Sequence, residues 1–294
     1  MSLRIATRSS KLARVQADLV GRALADPAGD GFELIPVETA GESGDKQRFV
    51  RGVEREVIDG RAEVAVHSAK DLPGTMTTGL AIAAVPGRED PRDAWLGPGS
   101  SLEEIPAGAR VGTSSLRRRS QLLAARPDLV PVELRGNVDT RIEKLAGGEV
   151  DGVVLAMAGL KRLRREEEVA FAFSLDQMTP AAGQGALVVQ TRATRAARAP
   201  ARPVNEEGAE RELKAERAAV VALETDCSSP VGIHARHRGG RLVIDGFAGL
   251  PDGSKWVRDR VEGDPARPEV LGQELARRMS LAGAASILTA ASTL

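Results

Sequence analysis

Val64-Ala-Val-His-Ser-Ala-Lys-Asp-Leu-Pro73 runs from an apolar strand straight into four polar groups, His67, Ser68, Lys70 and Asp71, and then into a proline. The apolar start suits a strand buried on both faces, and Pro73 has no N–H with which to continue a ladder. Upstream, strand-like Leu3–Ala6 leads into helix-like Ser9–Leu24, whose apolar positions are Leu12, Val15, Leu19, Val20 and Ala23. Strand Phe32–Glu38, helix Phe49–Ile58 and strand Glu63–Val66 follow, with a further apolar strand at Leu80–Val85. This alternation predicts βαβ units around a largely parallel sheet with helices on both faces. Ligands of such sheets sit beyond the carboxyl ends of the strands, which is where the polar cluster stands. A lone Lys-Asp pair would be read as a solvated ion pair. Four polar groups at one strand end turn the reading toward a site.

Pro86-Gly-Arg-Glu-Asp-Pro-Arg-Asp93 is polar and aperiodic and reads as a crossing between domains. A second βαβ series starts near Trp95, with strands Arg110–Gly112, Leu129–Leu134 and Gly152–Leu155 and helices Ser115–Ala125, Val138–Ala146 and Met157–Arg165. Thr179–Gln190 is a Gly-rich loop feeding an apolar strand, which is expected back on the first domain. Arg192–Pro203 reads as a basic linker, and Asn205 as the cap of a helix through Leu223. Two hairpins follow, turning at Gly239-Gly240 between Val231–His237 and Leu242–Phe247, and at Pro251-Asp-Gly253 into Lys255–Val261. Helix Pro268–Leu281 is expected to close the chain. The predicted fold is α/β in three parts: residues 1–88 with 183–200, residues 92–178, and a small α+β domain over 205–294.

Lys+Arg and Asp+Glu are balanced at 41 each, which gives no general reason to bind nucleic acid or an anionic membrane. Hydrophobic residues make up 42% of the 294, but only 2% are aromatic, so the core must be aliphatic. A single cysteine excludes an intramolecular disulfide framework and any multi-cysteine zinc site. No run approaches the roughly 18 apolar residues of a membrane span. The N-terminal MSLRIATRSSKLARV lacks the apolar core of a signal peptide, so a cytoplasmic location is expected.

The second chemical signal is Val111-Gly-Thr-Ser-Ser-Leu-Arg-Arg-Arg119. Hydroxyl residues here can cap a helix, but arginines in a first helical turn oppose the macrodipole. Arg117 and Arg118 therefore call for an anion, whereas Arg119 reads as a solvated face residue. Arg8, Arg135, Arg141 and Arg162 also follow strand ends or lie in the helix just beyond, so a doubly wound arrangement would gather them on one cleft. Planar guanidinium forks suit a ligand bearing many carboxylates. Arg164 and Arg165, beside Glu166-Glu-Glu168, read as a surface charge run. The third signal is Leu223-Glu-Thr-Asp-Cys-Ser-Ser-Pro-Val-Gly232. A lone cysteine is usually inert and buried, but this one sits in a polar loop where a covalent role is possible. Phosphate-binding and dinucleotide-binding glycine fingerprints are absent, and Gly183-Gln-Gly185 is too short to be either.

Taken together, these segments resemble the porphobilinogen deaminase (hydroxymethylbilane synthase) family. The matching blocks are Arg4-Ile-Ala-Thr-Arg8, Val66–Pro73, Glu89-Asp-Pro-Arg-Asp93, Val111–Arg118, Leu134-Arg-Gly-Asn-Val-Asp-Thr-Arg141, Ala158-Gly-Leu-Lys-Arg162, Gly183-Gln-Gly185 and Cys227-Ser-Ser-Pro-Val-Gly232. They occur in family order over nearly the whole chain.

The resemblance implies two periplasmic-binding-protein-like (type II) domains around a cleft, a small C-terminal α+β domain, and a transferase. It implies a dipyrromethane cofactor joined by a thioether to Cys227, on which four porphobilinogen units are condensed with loss of ammonia before hydroxymethylbilane is hydrolysed off. By the same resemblance Asp71 is the catalytic carboxylate, assisting loss of the amine and stabilising the cationic methylene-pyrrolenine. Lys70, Ser68, Thr113, Ser115, Arg117, Arg118, Arg135, Arg141 and Gly159 would join Cys227 in holding the cofactor. Arg8, Ser10, Lys46, Phe49, Arg135, Arg141 and Arg162 would bind substrate. No metal, nucleic acid or membrane is implied, and a monomer is expected.

The sequence departs from the family at Thr39–Phe49, where the lid is shortened and the glycines flanking Lys46 are gone, at Lys11, where proline is common, and in the Pro73–Gly79 loop. The alternative reading is a non-catalytic two-domain binding protein for a carboxylate-rich small molecule. Asp71 and the Cys227 loop speak against it, because a simple receptor needs neither.

Overall fold

The structure is a computed structural model that describes residues 2–25, 31–38, 46–226 and 228–293, with residues 46–49 described in their backbone only. Cys227, most of the shortened lid, and the side chains of Lys46 and Phe49 therefore lie outside the described residues.

The first lobe contains β1 (Leu3–Arg8), α1 (Lys11–Leu24), β2 (Phe32–Val37), α2 (Lys46–Ile58), β3 (Val64–Ser68), a 3-10 turn (Ala69–Asp71) and β4 (Leu80–Ala84). The chain then crosses to a second lobe of β5 (Asp93–Leu96), β6 (Arg110–Gly112), α3 (Leu116–Ala125), β7 (Val130–Val132), α4 (Val138–Ala146), β8 (Gly152–Ala156), α5 (Met157–Arg162) and β9 (Phe171–Ala172). It returns through β10 (Leu187–Arg192) and the short helix α6 (Arg195–Arg198), and α7 (Glu207–Ala222) leads into the last part. There β11 (Val231–Arg238), β12 (Arg241–Gly249) and β13 (Trp256–Gly263) precede α8 (Pro268–Leu281) and α9 (Ala284–Ala291).

The two five-stranded sheets share one plan, β2-β1-β3-β10-β4 and β7-β6-β8-β5-β9. In each the strand that arrives from the other lobe is inserted in fourth place. It runs antiparallel to its neighbours: β10 to β3 and β4, β5 to β8 and β9. The sheets are thus mixed, with three adjacent strands parallel in each. A strand entering from the opposite lobe comes in from the opposite end, which reverses its direction. Two binding-protein-like (type II) α/β lobes and a three-stranded antiparallel α+β unit result.

Alternation along the strands builds the cores. Ile5, Val64 and Val66 pack with Ala17 and Val20 of α1, while Ala6 and Ala65 pack on the opposite face with Val53 and Val57 of α2. In the second lobe Trp95, Val111 and Val154 pack with Leu122 of α3 on one face, and Leu96, Val153 and Leu155 with Ile142 and Leu160 on the other. In the third, Ile233, Ala235, Leu242 and Ile244 meet Leu275 and Met279 of α8.

Three expectations need correction. Arg192–Pro203 is not a plain linker, since α6 and the following 3-10 turn (Ala199–Val204) lie against the first lobe and bury Ala201 in its core. Asn205 does not cap α7; its Oδ1 accepts a 2.8 Å bond from the Val85 N–H, and Glu206 caps the helix through Gly208 and Ala209. Helix α8 does not close the chain either. After a break at Gly283 (φ 101°), α9 folds back and buries Ile287.

Candidate active site

The carboxyl ends of the two sheets abut. Helix α1 starts just past the end of β1 and α5 just past the end of β8, and Leu12 of the first meets Gly159 of the second. Lys11 and Asp139 also face each other across this boundary, 3.7 Å apart. On the first rim stand Arg8 at the end of β1, Ser10 as the cap of α1, Ser68 at the end of β3, and Lys70 and Asp71 in the 3-10 turn. The Arg8 guanidinium lies 4.0 Å from the Asp71 carboxylate, and both side chains keep part of their surface open.

On the second rim, Ser115 caps α3 by accepting from the Arg118 N–H, and the Thr113 hydroxyl accepts from the Ser115 N–H at 3.2 Å. Arg117 and Arg118 both point inward to the fully buried Asp93, at 2.7 Å each. The anion that these first-turn arginines call for is thus met in part from within. Arg118 donates to one carboxylate oxygen and also to the Val154 carbonyl, while Arg117 takes the other oxygen and the Thr179 carbonyl. Burial opposes the charge on Asp93, but the two guanidiniums outweigh it and hold this carboxyl well below the usual range. Two cations share one anion.

Arg141 and Arg162 carry the imbalance further. Arg141 donates to the Gly136 carbonyl at 2.9 Å and the Ser114 hydroxyl at 3.2 Å, and Arg162 to the Gly185 carbonyl at 2.7 Å. Among the described residues neither has a carboxylate in hydrogen-bonding reach. Burial pushes each guanidinium down to about 10, with Arg118 adding repulsion at Arg141. Arg135 stands apart: it pairs with Glu133 at 2.7 Å and is 66% exposed. Arg119 is exposed, whereas Arg165 is partly buried and ties Asp139 to Glu168.

The described residues that precede and follow Cys227 in the chain are tied to both lobes. Asp226 accepts from the Ser228 N–H at 2.9 Å and from the Ser228 and Ser229 hydroxyls, which fixes the turn on either side of position 227. Within α7, ten residues before Cys227, Arg217 donates to the Gly74 carbonyl at 2.7 Å, three residues beyond Asp71. At the following end, the Ile233 N–H donates to Pro180 at 2.9 Å, next to the Thr179 that receives Arg117. No group of three or more His, Cys, Asp or Glu among the described residues is arranged to hold a metal, and no described helix is long and apolar enough to cross a membrane.

A family model described as "Porphobilinogen deaminase, dipyromethane cofactor binding domain" matches residues 3–199, and one described as "Porphobilinogen deaminase, C-terminal domain" matches residues 211–280. The chain belongs to the porphobilinogen deaminase family. With that membership come transferase chemistry, tetrapyrrole biosynthesis, hydroxymethylbilane synthesis and a dipyrromethane cofactor. Among solved structures, similar folds include a TRAP periplasmic solute binding protein from Pseudomonas putida F1 with bound D-glucuronate. It is 12% identical with a TM-score of 0.43 over 76% of this chain and 82% of that one. Another from Desulfovibrio salexigens is 14% identical, with a TM-score of 0.43 over 71% and 74%.

Two blocks of this porphobilinogen deaminase family member have structural roles that their sequences alone did not assign. Asp93 heads a buried apolar strand, Asp93-Ala-Trp-Leu96, where a carboxylate survives only with partners; that mismatch is a legible signal. Gly183-Gln-Gly185 knots the two crossings. Arg88 donates to the Gln184 carbonyl, and Gln184 Nε2 donates to Pro91 and to Asp93. Both glycines have positive φ, 74° and 87°, and a Cβ on either would collide with a neighbouring segment, at Gly183 with Ala69 and at Gly185 with the Glu89 carbonyl.

Proposed function

We propose that this chain holds its dipyrromethane through Cys227 and through the arginine-rich second rim, and that Asp71 on the first rim is the catalytic carboxylate. The observation that carries this reading is the surplus of cations: Arg117 and Arg118 share one carboxylate, and neither Arg141 nor Arg162 has a carboxylate within hydrogen-bonding reach among the described residues, although Glu89 attracts Arg162 from further off. Partly buried cations in that state favour a ligand that brings carboxylates. Each pyrrole unit carries two, an acetate and a propionate. The residues present therefore fit the group: Lys70, Ser68, Thr113, Ser115, Arg117, Arg118, Arg141 and Gly159 would line it, with Arg135 reaching from the outer edge.

When bound, the dipyrromethane supplies the nucleophilic pyrrole carbon on which the chain grows. The protein's share is to bind, orient and move protons. Arg8, Ser10 and Arg162, with Lys46 of the lid, receive the incoming monopyrrole through its carboxylates, and Phe49 packs against its ring. Asp71, beside Arg8, faces the aminomethyl carbon; it assists proton transfer to the departing amine and opposes the positive charge that develops there. After coupling, the same carboxylate takes the proton from the joined carbon. The parts that deliver these groups are residues 1–88 with 183–200, 92–178 and 205–294. We further assign a monomer, since both rims come from one chain, and the cytoplasm, whose reducing conditions keep the Cys227 thiol free until the cofactor is attached.

Asp71→Asn tests this directly. It preserves shape and hydrogen bonding but removes the charge and the proton shuttle. The variant should retain the cofactor in its intact mass and lose roughly a hundredfold or more of product formation. Near-normal release of ammonia and hydroxymethylbilane by that variant would remove Asp71 from the role.

A further inference from the structure

Behind the first rim, between α2 and the sheet, three polar side chains are buried in a row: Glu54 (2% exposed), Gln190 (0%) and His67 (6%). Polar groups in such a place are costly unless each is paired. The Thr77 hydroxyl donates to Glu54 Oε2 at 2.6 Å, Gln190 Nε2 donates to Glu54 Oε1 at 2.7 Å, and Gln190 Oε1 lies 3.0 Å from His67 Nε2. Strand register explains the last contact. Val188 of β10 stands opposite His67 and Gln190 opposite Ala65, so His67 and Gln190 are diagonal neighbours on one face.

The row has a direction. A carboxylate only accepts, so the Gln190 amide must turn its NH2 toward Glu54 and its oxygen toward His67. His67 must then carry its proton on Nε2, which leaves Nδ1 as a bare acceptor. Burial keeps this imidazole neutral, pushing it down to about 4. Glu54 from α2 and Asp71 from the 3-10 turn oppose that, and Arg8 from β1 adds to it. Among the described residues no donor reaches Nδ1. The ring stands near the end of β3, next to Ser68 and four residues before Asp71 of the 3-10 turn, yet brings no charge there.

We propose that Glu54 and Gln190 are positioning residues that fix His67 as an Nε2-protonated neutral imidazole, so that Nδ1 accepts a hydrogen bond from an N–H of the incoming aminomethylpyrrole. This rests on the porphobilinogen reading given above. A neutral acceptor orients a cationic aminomethyl group without repelling it, which an imidazolium would do. The row also ties together the loop after Asp71 through Thr77, α2 through Glu54, and the returning strand β10 through Gln190.

The test is heteronuclear magnetic resonance on cofactor-loaded protein with isotope-labelled histidine nitrogens, the His67 signals being assigned with a His67→Asn variant. From about pH 5 to about pH 8 the ring should show a protonated Nε2 and a bare Nδ1, and adding porphobilinogen should shift Nδ1. Gln190→Met, which keeps the bulk and removes the acceptor, should mix the tautomers. It should also lower kcat/KM roughly tenfold, mainly through KM, with cofactor mass unchanged. An Nδ1-protonated ring, an imidazolium in that pH range, or an Nδ1 signal indifferent to porphobilinogen would overturn the proposal. Absence of both the cofactor mass and porphobilinogen turnover in the parent protein is a different result: it would overturn the enzyme reading itself, whatever the tautomer.

Discussion

At the scale of single residues, the arginines divide into two kinds that should respond oppositely to removal. Arg118 is anchored on Asp93 and Val154 even as it shares that carboxylate with Arg117, so Arg118→Met strands part of a buried carboxylate. Losing one partner of a buried pair costs about 3–5 kcal/mol, and chemical denaturation should show it. Arg141 is held only by a carbonyl and a hydroxyl, and its charge is disfavoured where it sits. In cofactor-free protein Arg141→Met should therefore be neutral or slightly stabilising, while it impairs cofactor loading. Asp93 also sets a pH dependence. Its folded pKa lies below the unfolded value, so its contribution is complete above about pH 4 and fades as pH falls toward the depressed value. Asp93→Asn, though less stable overall, should show a shallower loss of stability between about pH 5 and about pH 2. Sequence made the need for an anion at Arg117 and Arg118 legible, from their place in a first helical turn. That Asp93 supplies part of it was not legible, because 24 residues separate Asp93 from Arg117 and only the fold joins them.

At the scale of elements, the parallel core of each sheet could be read from the alternation of apolar strands and amphipathic helices. The inserted antiparallel strands could not, since direction depends on which lobe the chain comes from and leaves no local mark. Strand β9 covers only Phe171–Ala172, too short to show a period, and α6 is hidden in a stretch whose basic, Pro-rich composition resembles a linker. The two crossings are where the elements depend on one another. A Cβ at Gly185 would lie 2.2 Å from the Glu89 carbonyl oxygen, at φ 87°. Gly185→Ala should therefore destabilise the protein by about 1–3 kcal/mol, read from urea denaturation, whereas alanine at the open, exposed turn position Gly240 should cost less. A similar cost at both positions would mean that the Gly-Gln-Gly knot is looser than its contacts indicate.

At the scale of the whole molecule, the third part ties to both crossings. Glu216 of α7, wholly buried, accepts from Arg88 at 2.6 Å, from the Gly183 N–H at 2.6 Å and from the Ala235 N–H at 2.8 Å. Helix α7 and strand β11, which flank Cys227 in the chain, are thereby anchored to the same region that joins the lobes. A covalently held polycarboxylate at this place would relieve the cation surplus across the lobes, so the cofactor-loaded form should unfold at a higher temperature than the cofactor-free form. Intact mass spectrometry is the most direct test of the central claim. Protein produced with its substrate supply intact should carry an excess mass equal to one dipyrromethane, and Cys227→Ser should abolish it. An unmodified mass in the parent protein, or the same excess in the serine variant, would contradict the account.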